Sequence, residues 1–575
     1  MTESADDSGV RVPLVIGAVG HRDLVEGEIA GLVDRVRDFL ETLQRKYPHL
    51  CVTVLTSVAD GADRLVADVA SSLGMPITYV LPMPSDLFER DFDAESLRQY
   101  RQILGGSNVL TLPLVNGNTP DDVTHPGAAR DMQYAQLGAF IAAHCHILLA
   151  LWDGNEDGPS GGTAAIIRFH QDDYMPGRSD GAPRSRLDDT DDESDLVYHV
   201  VCSRDRPDGA PIAPLRVGET WWLSRNERMP RTMEMPERYE IVLRRMIEFS
   251  EDAKRRRQAI EGTPNALLAA NDVTLSGGDR AIAQMFAVAD YLAIFYARLT
   301  LTALRLVCGF ALVALLFFLV FSNLPGFEQL IYPYLVFMAM SIAVWWIARR
   351  ADWQRRYLDY RVLAEALRVQ FYWAVAGVDR PKLSRFGHDL FLKRHDLELG
   401  WIRNILRVSG LRDDATASKP TDAGIAIALR DWVGDEKSGQ WGYYRRRWPE
   451  KHRDHRITEM LGHLSLGAGL ALAAWLAFAQ FWLGRQPSAE LIALMGLLPL
   501  FAAIRQVYAH RLAEQELINQ FQFMDRIFSN ARRQLARATS STERCRILFE
   551  LGDAAMREHG QWIMRLRERP ISTVS

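Results

Sequence analysis

Between Pro13 and about Phe169, short apolar runs alternate with amphipathic stretches. The runs are PLVIGAV, CVTVLTS, PITYVLP and CHILLALW, and helical patterns fall between them near Gly27 to Lys46 and Ala62 to Leu73. Alternation of this kind predicts a parallel sheet with helices on both faces. Such sheets bind ligands at the carboxyl ends of their strands. A further run, LVYHVVCS from Leu196 to Ser203, has strand composition and is expected at the sheet edge. From Gln171 to about Asp195 the chain is acidic and rich in Gly, Pro and Ser, which predicts a mobile insertion.

The pattern then changes period. A charged helical stretch spans Glu237 to Arg257, and a helix from about Asp279 runs into an uncharged segment, Leu306 to Asn323. Leu330 to Ala348, Leu461 to Leu483 and the shorter Leu491 to Ile504 complete four runs without Asp, Glu, Lys or Arg. Each approaches the ~20 apolar residues of a membrane helix, the last when extended through Gln506 to Ala509. Four spans are therefore predicted, as two hairpins.

The expected organisation is a cytosolic α/β ligand-binding domain over 1–235, a helical connector over 236–300, and a first hairpin with its cytoplasmic helix over 301–380. A cytosolic linker over 381–456 and a second hairpin with C-terminal helices over 457–575 follow. YRVLAEALRVQF from Tyr360 and YAHRLAEQELINQF from Tyr508 suggest that one unit, two spans and a cytoplasmic helix, occurs twice.

Charge adds direction. Arg349, Arg350, Arg355 and Arg356 follow the second span, and Arg445, Arg446, Arg447, Lys451, Arg453 and Arg456 precede the third. Basic residues beside membrane helices stay cytoplasmic. Both termini are expected in the cytosol, with the chain multi-pass in the inner (plasma) membrane and the lipid bilayer as its first partner. A net charge of -5 gives no global case for nucleic acid, so no nucleic-acid partner is expected. Five isolated cysteines suit a reducing compartment and show no zinc spacing, and no metal is expected. A homo-oligomer is left open.

Three loops are placed at strand carboxyl ends. GAVGHRDL offers Gly20, His21 and Arg22; SVADGADRL offers Asp60 and Gly61; WDGNEDGPSGGT offers Asp153, Gly154, Gly161, Gly162 and Thr163. Glycines let backbone amides approach phosphate, and a helix amino terminus adds partial positive charge. None of the loops matches G-x-x-x-x-G-K-[ST], which argues against a P-loop ATPase. Other residues read as structural: His144 and His146 around Cys145, Trp221 and Trp222 in domain packing, and Glu365 and Glu514 as helix-surface charges.

The first ~200 residues resemble SLOG domains, a Rossmann-like superfamily that includes LOG phosphoribohydrolases and DprA-like proteins. GHRDL, ADGADRL with LGMPITYVLPMP, and GPSGGT carry the likeness. The remainder resembles SLATT-type membrane modules through DYLAIFYARLTLTALRL, YLDYRVLAEALR and HGQWIMRLRERP. The resemblance implies a doubly wound Rossmann-like sheet with an all-α transmembrane module. It also implies a nucleotide-derived small-molecule signal as ligand, no further cofactor, and a sensor and effector in bacterial stress or antiviral defence, with a pore and a packed anchor both open. LOG hydrolases carry P-G-G-x-G-T-x-x-E, and the residue at the glutamate's place here is Ile166. No catalytic residue is assigned. The rival expectations are a membrane-tethered nucleotide hydrolase using Asp60, Asp153 and Arg22, and a structural membrane scaffold.

Overall fold

The computed structural model describes residues 12–158, 161–172, 195–224, 231–267, 275–378, 399–409, 411, 420–484, 486–511 and 514–567. Most of the expected acidic insertion, and Pro159 and Ser160 of the Gly-rich loop, lie outside the described residues. The chain divides into two compact units, Met1–Val288 with Ala366–Ile425, and Ala289–Glu365 with Ala426–Ser575.

In the first unit, β1 (Pro13–Gly20), β2 (Cys51–Thr56), β3 (Ile77–Leu81), β4 (Asn108–Thr111), β5 (Ile147–Trp152) and β6 (Leu196–Val201) are parallel. β7 (Thr220–Leu223) and β8 (Arg231–Thr232) add antiparallel at the β6 side. The strand order is β4-β3-β2-β1-β5-β6-β7-β8. β6 is therefore interior, not an edge: Trp221 and Trp222 lie on the strand that covers it.

The helices follow from apolar spacing. In α1 (Ile29–Lys46) the buried positions Leu32, Val36, Phe39, Leu40 and Leu43 recur every three or four residues, which aligns them on one face. Phe39 stacks on Tyr198 of β6, with ring centroids 4.0 Å apart. α2 (Ala62–Ser72) packs beside α1 and against β1 and β2. The alternate strand residues Val15, Val19, Leu55, Leu148, Ala150 and Val197 face the opposite way. They form one core with α5 (Ala128–His144) and α6 (Thr163–Asp172). Two short helices, α3 (Ser85–Phe88) and α4 (Ala94–Leu104), lie in the connection from β3 to β4.

The first unit does not end where the strands do. α7 (Glu237–Arg255), followed by α8 (Arg257–Glu261), packs with α12 (Gly400–Ser409) at the amino ends of the strands. His146 joins these elements: its Nδ1 accepts from Val15 N at 3.0 Å and its Nε2 donates to Asn404 O at 2.9 Å. Tyr239 Oη donates to His146 O at 2.6 Å. Burial pushes the His146 ring down to about 3, which holds it neutral for this clamp.

α9 (Gly277–Asn323), α10 (Ile331–Arg350), α14 (Gly439–Leu483) and α15 (Ala489–Arg511) are long and apolar enough to cross a membrane. Tight contacts pair their arms: Ser341 Oγ donates to Val307 O at 3.1 Å and Ser465 Oγ to Leu498 O at 2.8 Å. Gly469 has no room for a side chain, because a Cβ would lie 2.8 Å from Pro499. Ile342, Trp346, Leu470, Phe478 and Phe481 stay exposed on the outside of these helices.

The remaining described elements are helical. α11 (Trp353–Ala376), which continues into the first unit, precedes α12; α13 (Asp422–Ile427) precedes a π-helical turn, Ala428–Val433. α16 (Glu514–Leu535) and α17 (Ser541–Arg567) close the chain. Glu365 is not the expected surface charge: it is buried and paired with Arg361 at 2.6 Å. Glu514 is paired with His455 Nδ1 at 2.8 Å. Of the two similar tracts, the first lies inside α11, whereas the second runs from α15 into α16 across residues outside the description.

Candidate functional site

Strand order reverses between β1 and β5, so the loops leaving their carboxyl ends turn away from each other and leave a crevice between them. The β1 loop is fixed first by glycine. At Gly20 a Cβ would lie 2.7 Å from Leu151 O. At Gly61, with φ +80°, it would lie 2.5 Å from His21 O. The two glycines bring the β1 loop onto the start of α2, where Ala62 N donates to His21 O at 3.0 Å.

His21 and Asp153 meet across the crevice floor. His21 Nε2 accepts from Asp153 N at 3.2 Å and stands 3.2 Å from Asp153 Oδ1. Burial lowers the histidine's pKa and outweighs the carboxylate's upward pull, so the neutral ring is the acceptor. Asp153 is buried, its Oδ1 accepts from Asn155 N at 3.0 Å, and its backbone oxygen accepts from Ile212 N at 3.0 Å. Gly154, with φ +84°, lies against Leu215. The loop between β6 and β7 closes this side, since Arg204 Nε bridges both oxygens of Asp23 at 2.9 and 3.1 Å.

Arg22 takes the opposite direction. Its guanidinium lies 4.9 Å from the centroid of Tyr134, on α5, and it has no ion-pair partner among the described residues. Tyr134 Oη is buried with no hydrogen-bond partner. Gly161 packs on the same turn of α5, where a Cβ would lie 3.4 Å from Tyr134 Cβ. Gly162 and Thr163 then open α6, with Ile166 N donating to Gly162 O at 3.1 Å. Tyr134 thus links the Arg22 loop to the amino terminus of α6.

Asp60 is drawn elsewhere. Its Oδ1 pairs with Arg64 at 2.5 Å and accepts from Ser96 Oγ at 2.9 Å, which ties the β2 loop to α4. The carboxylate that feels the Arg22 charge is Asp63, which sequence reasoning passed over. Ser57 Oγ donates to its Oδ2 at 2.7 Å. Burial pushes this carboxyl up to about 6, against the downward pull of Ser57 and of the Arg22 charge. The cue was present in the sequence, since Gly61 fixes the start of α2 and Asp63 falls in its first turn.

Ile166 is buried in the apolar core of α5 and α6. It fills the space over Gly138, where a Cβ would lie 2.5 Å from Ile166 Cδ1. The crevice therefore joins an unpaired guanidinium, two helix amino termini, and a carboxyl pushed up to about 6. That set can hold an anion and move a proton.

By its architecture the chain joins an α/β sheet unit to a helical unit holding four membrane-length helices. Comparison with known proteins gives no matching family model, curated protein or solved structure.

Proposed function

We propose that this is a membrane-anchored sensor and effector. A SLOG-like, Rossmann-like unit binds the phosphate of a nucleotide-derived signal and alters a SLATT-like transmembrane module, in bacterial stress or antiviral defence. The observation that carries the reading is Arg22, unpaired and stacked on Tyr134 between the amino termini of α2 and α6, where the strand order reverses. Coupling needs differential affinity, because a ligand shifts an equilibrium only by its preference for one state. The unit boundaries fall within α9, after Val288, and within α11, after Glu365, so continuous helices connect the two units. The basic flanks support a topology with both hairpin ends and both termini in the cytosol of an inner-membrane protein.

The test uses the full chain in liposomes, screened with nucleotides and cyclic nucleotides. Ligand is expected to be recovered intact while leakage rises, and Gly162→Glu, which sets negative charge against the phosphate, abolishes the response while still inserting. Intact ligand without any response of the membrane module refutes the reading. For topology, external thiol labelling is expected at a cysteine placed at Gly326 or Pro487; labelling at Gly439 refutes it.

Asp63 supports one alternative, a tethered nucleotide hydrolase, since a carboxyl near pH 6 suits general acid–base work. That enzyme consumes the ligand, and Asp63→Asn abolishes the turnover.

A further inference from the structure

α14 is a helix of 45 residues with Pro449 inside it, between Arg446 and Arg453, and only its later part is the apolar span. Its surface changes character along one stripe. Ile457, Met460 and Leu464 are 46, 56 and 60 % exposed, and their spacing of three and four residues sets them on a single face. The same face continues toward the amino end with Arg453, four residues before Ile457, and Arg446, seven before that; Arg456 flanks it. All three arginines are exposed.

The partners of these arginines differ. Arg446 donates to the backbone oxygens of Glu436 and Lys437 at 2.9 and 3.0 Å. Arg453 and Arg456 have no hydrogen-bond or ion-pair partner among the described residues. The acidic residues nearby are engaged or turned aside: Glu450 pairs with Arg447 at 3.6 Å, and Glu459 stands 3.8 Å from His455, which also pairs with Glu514. Asp454 is about 100° round the helix from Arg453.

Depth follows from the rise of about 1.5 Å per residue. Counted back from Leu461, where the uncharged run begins, Arg456 lies about 8 Å and Arg453 about 12 Å out, within reach of a headgroup phosphate for a long flexible side chain, while Arg446 lies about 22 Å out. On the facing side, Arg505 of α15 behaves as a residue at the same boundary. Its stem covers Gly462, and its guanidinium reaches back to Thr458 Oγ1 at 2.9 Å and His455 O at 3.4 Å.

We propose that this stripe is a binding site for an anionic phospholipid, with the acyl chains along Leu464, Met460 and Ile457 and the phosphate on Arg453 and Arg456. The inference rests on the membrane reading above. A lipid is favoured over an acidic protein because the unpaired arginines adjoin exposed apolar side chains on one helix face. A soluble acidic partner has no use for that apolar continuation.

The test is native mass spectrometry of the full-length chain titrated with phosphatidylglycerol or phosphatidylcholine. Phosphatidylglycerol is expected to bind more tightly. Replacing both arginines, R453Q/R456Q, is expected to weaken it roughly 25-fold, about fivefold per arginine, with phosphatidylcholine unchanged. The control is R533Q/R537Q, in the last turn of α16 and just past its end, beyond the level where Ser529 meets Trp441. It is expected to bind as wild type. Equal binding of the two lipids by wild type, wild-type affinity in R453Q/R456Q, or the same loss in the control overturns the site. Carbonate-resistant flotation with vesicles separates the two readings: a chain that inserts yet shows no anionic preference refutes the site alone, and a chain that fails to insert refutes the membrane reading on which it rests.

Discussion

Replacing Gly61 with alanine is expected to loosen the whole β1–α2 corner. Gly61 has φ +80° and ψ -123°, a combination open to glycine and costly for other residues, by about 1–3 kcal/mol. The new Cβ would also stand 2.5 Å from His21 O and 2.7 Å from Arg22 C, both backbone atoms that cannot rotate away. Overpacking of that kind costs about 1–3 kcal/mol more. A total near 4 kcal/mol is a large part of the roughly 5–15 kcal/mol that holds a domain folded. Hydrogen exchange by mass spectrometry on the full chain reads this directly, because peptides covering 14–20 and 62–70 report the corner separately from the membrane helices. Each 1.4 kcal/mol is about tenfold, so exchange there is expected to quicken by roughly three orders of magnitude. Gly31→Ala is the control. Gly31 is exposed inside α1 with nothing within 4 Å of a Cβ, so alanine should slow exchange in α1 by the equivalent of about 0.5–1 kcal/mol. Protection of the corner within threefold of wild type in Gly61→Ala would refute the reasoning.

Three further outcomes follow from the first unit. Asp63 is held above its unfolded value, so the folded state binds the extra proton and stability falls as pH rises from about 4 to about 6; Asp63→Asn should add about 1–3 kcal/mol at pH 7 and little at pH 4 by hydrogen exchange. His146 and His199 have the opposite sign. Burial depresses them to about 3 and about 4, so their stability is present above pH 6.5 and is lost as pH falls, each by about 1.4 kcal/mol per unit. Between pH 4 and 6 one histidine offsets Asp63 and the other remains, so net acid weakening is expected there; flat protection in β1 and β5 over that range would contradict the clamp. Ile166→Glu places a carboxylate in the apolar core over Gly138 and should destabilise α6 by several kcal/mol, seen as faster exchange in 163–172, without creating turnover.

The local pattern was enough for much of the architecture. Short apolar runs between amphipathic stretches mark β1, β2, β3, β5 and β6 with α1 and α2, since burial of one face leaves its period in the chain itself. The four membrane-length helices were equally legible, including α15, whose 23 residues bear out the extension past Ile504. A membrane helix satisfies its own backbone, so its mark is local and needs no partner.

What the sequence left open depends on partners far away along the chain. β1 pairs with β5, Ile16 opposite Ile147, although β5 is the fifth strand in order, and β6 is interior because β7 covers it. β4, four residues at one edge of the sheet, is too short to leave a period. α12 joins the first unit through His146 and Asn404, which are 258 residues apart. At the site, Asp60 and Asp63 are three residues apart, yet one is bound to Arg64 and Ser96 while the other meets Ser57 near the Arg22 charge. Spacing supplied both carboxylates at one strand end. Only the packing of α2 between the β1 loop and α4 decided which became a structural tie and which was pushed toward neutrality, because the local dielectric and the partner charges are properties of the assembled fold.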